Sequence, residues 1–279
     1  MSDTRALAEF IERHPRLLVL TGAGCSTESG IPDYRDRDGE WKRKQPVQFQ
    51  DFVRSETMRK RYWARSMVGW VAFGAATPGQ PHRVLAAMEE AGLIHHLITQ
   101  NVDRLHQKAG SQAVIDLHGR LDKVECLDCG AAVERETLQR SLEVLNPEWT
   151  YGESRLGPDG DADLEDADYN VFEVAACSAC GGMLKPSVVF FGEQVPRERV
   201  DACYARLSEA DALLVIGSSL MVFSGYRFVR ASKAADQPVV ALNLGRTRAD
   251  PELDLKVERP CGEALAELAQ HLGVAVIAA

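Results

Sequence analysis

The chain has 279 residues, 45% of them hydrophobic and 26% charged, with a formal net charge of −9. That is the make-up of a globular protein with one large or two modest domains. It argues against a phosphate-backbone binder, and no apolar run has the length of a membrane span. The first sixteen residues form an amphipathic stretch carrying Asp3, Glu9 and Glu12, without the apolar core of a signal peptide or the acid-poor character of a transit peptide, so a cytoplasmic location is expected.

The first predicted element is a helix over 4–13 that packs Leu7, Phe10 and Ile11; His14-Pro15 ends it, because the residue before proline avoids the α region. The apolar run 17–20 reads as a buried strand. It breaks at Thr21-Gly22-Ala23-Gly24, where closely spaced glycines let backbone approach a phosphate. The third glycine of a dinucleotide fingerprint would fall at Thr27, so the dehydrogenase pattern is not met. Ser29-Gly30-Ile31-Pro32-Asp33-Tyr34-Arg35 cannot continue a helix. A glycine turn running into a rigid polar loop suggests a nucleotide under a flap. After the charged loop 36–41, residues 51–74 read as an inserted helical module, with Tyr62, Trp63, Trp70 and Phe73 recurring too often for a solvated helix.

From residue 77 a strand–helix rhythm returns. Pro81 opens a helix with the stripe Val84, Leu85 and Met88, and Gly92 caps it. Strands follow over 93–98, 114–117, 185–191, 212–216 and 239–242, with helices to Gly110, over 200–207 and over 263–272. The alternation predicts an α/β fold, a Rossmann-like parallel sheet with helices on both faces. Its six strands are expected to end in TGAG, TQNVD, HG, FGE, GSS and NLG, a polar rim on the side where such sheets bind ligands.

Cys126-x-x-Cys129-Gly and Cys177-x-x-Cys180-Gly are separated by residues 130–176. Four thiolates in two tight turns suit a closed tetrahedral Zn²⁺ site; a redox pair and an iron–sulfur cluster are the alternatives. The spacer carries Asp159, Asp161, Asp163, Glu165, Asp166 and Asp168, read as a solvated mobile loop, with a lid over a cleft as the other possibility. Cys25, Cys203 and Cys261 read as packing residues; Cys25 has no identifiable base as a nucleophile. His118 stands out among seven histidines because it lies on the rim with glycine next, unlike His82, His106 or His271. An imidazole near its ordinary pKa of about 6.5 can take a hydroxyl proton at neutral pH.

GAGCS, SGIPDYR, TQNVD, HG, the two C-x-x-C pairs, FFGE, GSS and NLG together resemble the sirtuin (Sir2) family of NAD-dependent protein deacylases, and are most similar to class II. The expected division is a Rossmann-like NAD-binding domain from 1–36, 78–120 and 186–279, and a small domain from the helical insertion 37–77 and the zinc-binding insertion 121–185. The resemblance implies that Gly22, Ala23, Gly24, Cys25, Ser26, Glu28, Pro32, Asp33, Tyr34, Arg35 and Trp41 line the NAD pocket. It further implies that Gln100, Asn101, Val102 and Asp103 surround the nicotinamide ribose and amide, and that Gly217, Ser218, Ser219, Asn243, Leu244, Gly245 and Cys261 hold the adenosine half. NAD is then consumed as a co-substrate, with one structural zinc per chain on Cys126, Cys129, Cys177 and Cys180.

The implied mechanism has an acyl-lysine carbonyl oxygen attack the anomeric carbon of NAD as nicotinamide leaves. His118 then deprotonates a ribose hydroxyl that attacks the imidate, while Asn101 and Asp103 position amide and water; lysine and O-acyl-ADP-ribose are the products. Partners are acyl-lysine proteins or peptides, not nucleic acid or membrane. Val189, Phe191, Gly192 and Glu193 are expected to pair with an extended peptide. Tyr62 and Arg65 are similar to the Tyr-x-x-Arg pair of class III sirtuins, so Arg65 is a candidate reader of acidic acyl chains through its bidentate fork, against a plain salt bridge. Rival readings are mono-ADP-ribosyl transfer at the same site, a nicotinamide oxidoreductase with structural zinc, and a zinc-ribbon nucleic-acid module, which the acidic balance opposes.

Overall fold

The computed structural model describes residues 3–43, 45–150, 154–164 and 167–276. In chain order the elements are α1 (Asp3–Glu12), β1 (Leu17–Thr21), α2 (Phe49–Arg54), α3 (Glu56–Gly74), α4 (Gln80–Glu90), β2 (Ile94–Thr99), α5 (Leu105–Lys108) and β3 (Val114–Asp116). Then come β4 (Gly119–Cys126), β5 (Ala132–Glu134), α6 (Arg135–Leu145), β6 (Arg155–Leu156), β7 (Ala162–Asp163) and β8 (Leu184–Val188). The chain closes with α7 (Arg197–Glu209), β9 (Ala212–Ile216), α8 (Phe223–Ala234), β10 (Val239–Leu242), β11 (Leu255–Val257) and α9 (Cys261–His271). No helix among the described residues is long and apolar enough to cross a membrane. Two compact units divide the chain: Met1–Arg43, Thr77–Leu117 and Val195–Ala279 form the first, and Lys44–Ala76 with His118–Gln194 the second. Residues 37–43 and 77 thus go with the first unit, and 118–120 and 186–194 with the second.

The first unit is built on a six-stranded sheet of order β11-β10-β9-β1-β2-β3, all pairs parallel. Every residue of β1, β9 and β10 is buried, which is why these strands read as unbroken apolar runs rather than alternating ones. Period two decides which side each residue serves. Leu17, Val19, Leu214 and Leu242 pack with Leu7, Ile11, Leu85 and Leu265 from α1, α4 and α9; Leu18, Leu20, Leu213 and Val215 pack with Leu207 and Phe228 from α7 and α8. The order reverses about β1, with β2 on one side and β9 on the other, so the loops after β1 and β9 flank the switch point at which sheets of this kind bind ligands.

The expected strand 185–191 does not belong to this sheet. It is β8, antiparallel to β4, at the edge of a three-stranded sheet β5-β4-β8 in the second unit. A short apolar run reads alike in either sheet, and only long-range pairing separates them. The sixth parallel strand is instead β11, three residues long and too brief to stand out as a pattern. Helices α6 and α8, which the chain-order reading left without assignment, complete the two units.

In the second unit, α2 and α3 form the helical insertion around the buried Phe52, Tyr62, Trp63 and Phe73. Arg135 is fully buried there: its guanidinium lies 4.9 Å from the centre of the Trp70 ring and donates to Gln139 Oε1 and Ser66 O at 2.9 and 3.1 Å. The acidic spacer is not a wholly solvated loop. β6 and β7 pair as a hairpin, Ala162 is fully buried, and Gly160, at φ +73°, packs beneath Leu121 and Phe73 where a side chain would clash. Glu165 and Asp166 lie outside the described residues.

Candidate active site and metal centre

The glycine turn packs backbone on backbone. A Cβ on Gly22 would meet Gly217 O at 2.8 Å, and one on Gly24 would meet Gly217 Cα at 2.9 Å. Gly22 N–H donates to Ile216 O and Gly24 N–H to Gly217 O, joining the loops after β1 and β9. No long helix follows; Ala23–Cys25 and Thr27–Ser29 are single 3₁₀ turns, ended by Gly30 at φ +82°. The loop beyond, 31–42, folds on itself. Arg35 stacks 4.0 Å from the centre of the Trp41 ring and donates to Gly39 O at 2.7 Å, while Lys42 pairs with Asp33. Tyr34 meets Trp41 edge-on.

The polar centre of the first unit is Ser26. Its hydroxyl accepts from Asn101 Nδ2 at 3.0 Å and donates to Asp103 Oδ2 at 2.6 Å; Asn101 Nδ2 also reaches Gly22 O at 3.0 Å. Asp103 is buried, and burial raises its pKa against the Ser26 hydroxyl and the Leu105 N–H, which stabilise the carboxylate. Gln100 Nε2 donates to Ser218 Oγ at 2.7 Å, and Val102 is half-buried between these groups in sequence. At the next strand ends, Ser219 O accepts from Arg248 N–H, Asn243 Nδ2 reaches Leu244 O and Gly245 O, and Gly245, at φ +92°, lies against Arg37 O. The Glu28 carboxylate lies against Gly262 in the first turn of α9, where it complements the helix dipole. Cys25 and Cys261 are buried; contact with Cys261, together with burial, raises the Cys25 thiol well above its ordinary value, consistent with a packing role. All the residues expected around NAD thus lie in the first unit, at the carboxyl ends of β1, β2, β9 and β10, in the loop after β1, and at the start of α9.

A buried layer behind this centre escaped sequence reasoning. Gly79 N–H donates to His82 Nδ1, so the His82 proton sits on Nε2, facing Ser26 Oγ at 3.4 Å. His106 Nε2 meets Thr21 Oγ1 at 2.9 Å, and the two imidazoles lie edge to face. Burial, with Arg83 adding, lowers His82 to about 4, and burial drives His106 well below its ordinary value. A free histidine titrates near 6.5, so between pH 6.5 and 4 the unfolded chain binds a proton that folded His82 refuses. Stability is therefore full above that window and falls as pH drops through it, by about 3 kcal/mol for His82 alone. His82→Gln is expected to flatten this acid limb in urea unfolding measured from pH 7 to 4; an unchanged slope would count against the assignment.

His118 opens the second unit, half-buried, and its carbonyl accepts from Val189 N–H at 2.8 Å. Gly119, at φ +82°, lies against Ser187 O with no room for a Cβ. Beyond β8 the segment bends: Glu193 N–H donates to Phe190 O, Phe49 N–H to Phe191 O, and Gly192 sits at φ +77°. Tyr62 is buried against Phe52, Trp63 and Phe190, and burial pushes its phenol pKa up. The Arg65 guanidinium, offered by the sequence to an acidic acyl chain, is taken by the chain's own carboxylates. It pairs with Asp161 at 2.7 Å and Asp163 at 3.0 Å, and its Nε donates to Ala162 O at 2.8 Å. Burial, with Asp159 nearby, pushes Asp161 up while Arg65 pulls against it. Arg65→Met is expected to destabilise the fold by about 3 kcal/mol by stranding Asp161. It should also speed hydrogen exchange at the Gly157 amide, which is bonded to Asp161 O in the hairpin; protection equal to the native protein would refute this anchor.

The ligand atoms of Cys126, Cys129, Cys177 and Cys180 all lie within 4.8 Å of one another. Each pair sits in the same turn: Gly130 N–H returns to Cys126 O and Gly181 N–H to Cys177 O, with both glycines at positive φ. The N–H groups of Cys129 and Asp128 bring the Cys126 thiol down to about 7, whereas contact with Cys129 first, then Cys126 and Cys177, raises Cys180 to about 12. Four crowded sulfurs cannot all ionise without a cation among them. The set fits Zn²⁺, which takes four thiolates at about 2.3 Å and leaves no open position.

A profile of the Sir2 family matches residues 22–224. A Xanthomonas campestris protein named NAD-dependent protein deacetylase is 61% identical over 265 residues, 95% of this chain and 90% of that protein. One of the same name from Bordetella bronchiseptica is 58% identical over 96% of this chain and 98% of its own. Bovine mitochondrial sirtuin-4, named an NAD-dependent protein lipoamidase, is 50% identical over 94% of this chain and 84% of its own. Among solved structures, a Sir2 complex with a p53 peptide and NAD⁺ aligns with a TM-score of 0.79 at 28% identity, covering 98% of this chain and 99% of that one. On the strength of these matches, the chain belongs to the Sir2 family.

Proposed function

We propose that this protein is an NAD-dependent protein lysine deacylase, active as a deacetylase, which transfers the acyl group from lysine to ADP-ribose and releases nicotinamide. The observation that carries the reading is the Ser26–Asn101–Asp103 cluster, three polar side chains fastened to one another at the carboxyl ends of β1 and β2. Relatives at about 60% identity carry that activity in their names.

NAD, when bound, supplies an electrophilic ribose carbon and a neutral leaving group. Asn101, its amide fixed by Gly22 O and Ser26, and the buried Asp103 orient the nicotinamide end. The Gly22–Gly24 turn carries the phosphates, Gly217–Ser219, Asn243–Gly245 and Cys261 hold the adenosine half, and loop 31–42 covers the dinucleotide. His118 acts as general base on a ribose hydroxyl. Val189–Glu193 seats the acyl-lysine peptide. Zinc on the four cysteines holds the two knuckles together and has no part in bond making, because a four-thiolate site has no open position. The substrates are acyl-lysine proteins or peptides, and the location is the cytoplasm, in keeping with the bacterial relatives.

Incubation with NAD and an acetyl-lysine peptide is expected to yield nicotinamide, free lysine peptide and O-acetyl-ADP-ribose in equal amounts, measured by mass spectrometry. NADH absorbance without nicotinamide would sink the reading. The relatives' names span acetyl and lipoyl amides, so the same assay run with both peptides measures acyl breadth.

A further inference from the structure

Lys185 lies in β8 with 2% of its side chain exposed, a burial that lysine adopts only when its charge and protons are matched. Its Nζ donates to Val188 O at 2.7 Å and Pro186 O at 3.2 Å, and stands 3.3 Å from Glu193 Oε2 and 3.5 Å from Glu125 Oε1. The Phe190 ring is 5.3 Å away. Three protons meet an adequate set of oxygens, under an aromatic cover that excludes water.

What the ammonium grips is specific. The Val188 carbonyl and the Val189 N–H belong to one peptide plane, and that N–H donates to the carbonyl of His118 at 2.8 Å. A cation on the carbonyl end polarises the amide and strengthens the N–H as a donor. On the other side, Glu193 Oε2 accepts from Phe190 N–H at 2.8 Å, while Glu193 N–H donates to Phe190 O at 3.0 Å. Lys185 therefore ties together the two ends of a turn, 188–193, that no longer follows the strand, and fixes the amide to which the backbone of His118 is fastened.

We propose that Lys185 is a positioning residue for deacylation: its ammonium sets the 188–189 peptide plane that anchors His118 and, through Glu193, the turn that seats the acyl-lysine peptide. The inference rests on the reading of His118 and Val189–Glu193 given above.

Lys185→Met keeps the stem and removes the charge and all three donors. Steady-state kinetics with an acetyl-lysine peptide are expected to show the peptide KM raised at least tenfold and kcat lowered at least tenfold, with the NAD KM within twofold and zinc still one per chain. A variant with native kinetics overturns the inference. So does one in which only kcat falls, with both KM values native, because that is the mark of a smaller folded fraction. Should the methionine variant fail to fold and lose its zinc, Lys185→Arg decides. Its planar, longer head keeps the charge but displaces the 188–189 plane, so a raised peptide KM at unchanged NAD KM supports the role, and native values for both overturn it. Native protein that releases no nicotinamide overturns the functional reading and this inference with it; active native protein beside an unaltered Lys185→Met variant overturns the inference alone.

Discussion

Replacing His118 by alanine is expected to lower kcat for an acetyl-lysine peptide by about 10²–10⁴-fold, the contribution of a well-placed general base. The fold should survive the change, because the backbone contacts at this point do not depend on the imidazole: the carbonyl of residue 118 accepts from Val189 N–H, and the tight packing against β8 falls to Gly119. NAD affinity should also survive, since the residues assigned to the dinucleotide all lie in the first unit. Nicotinamide release measured beside NAD binding by calorimetry separates these effects. Turnover within a few-fold of native would remove His118 from the mechanism; loss of NAD binding in step with turnover would make it a binding residue.

Cys129→Ser is expected to abolish zinc binding and unfold the second unit. Zinc sites of this kind are worth about 10–16 kcal/mol in isolated peptides, as much as the roughly 5–15 kcal/mol that keeps a typical domain folded. The four cysteines supply the metal-binding cluster found among the described residues, between turns closed by only a few backbone hydrogen bonds. Because the ligands are thiolates, zinc affinity must fall as pH falls, and removal by a chelator should become easier in acid. Metal content and the thermal melt followed by circular dichroism check both points. A variant that keeps its melting temperature without zinc would show that the surrounding packing, and not the ion, holds the unit.

Local chemistry determined a great deal of this protein from the sequence. β9 and β10 are legible to the residue, because fully buried parallel strands are unbroken apolar runs bounded by glycine, serine or asparagine. The two C-x-x-C-Gly turns are legible because a thiolate knuckle is a contiguous motif. The chain's own spacing, from GAGCS through TQNVD to NLG, carries the resemblance to the family that the comparisons establish.

Tertiary structure decided the rest, wherever one residue's role depends on a partner far along the chain. Residues 185–191 read as one more parallel strand, yet the strand that forms, 184–188, pairs antiparallel with β4. Arg65 reads in sequence either as a partner for an acidic ligand or as half of a salt bridge, and only the fold supplies Asp161 and Asp163, nearly a hundred residues on, as its ion-pair partners. His82 reads as one histidine of a helix, yet a backbone amide fixes its tautomer and turns its proton toward Ser26. Lys185 reads as an unremarkable strand residue, yet its charge organises a turn. Apolar pattern and glycine punctuation act over a few residues and can be read in a line; the pairing of buried polar groups acts through space, and only the folded chain assigns each donor its acceptor.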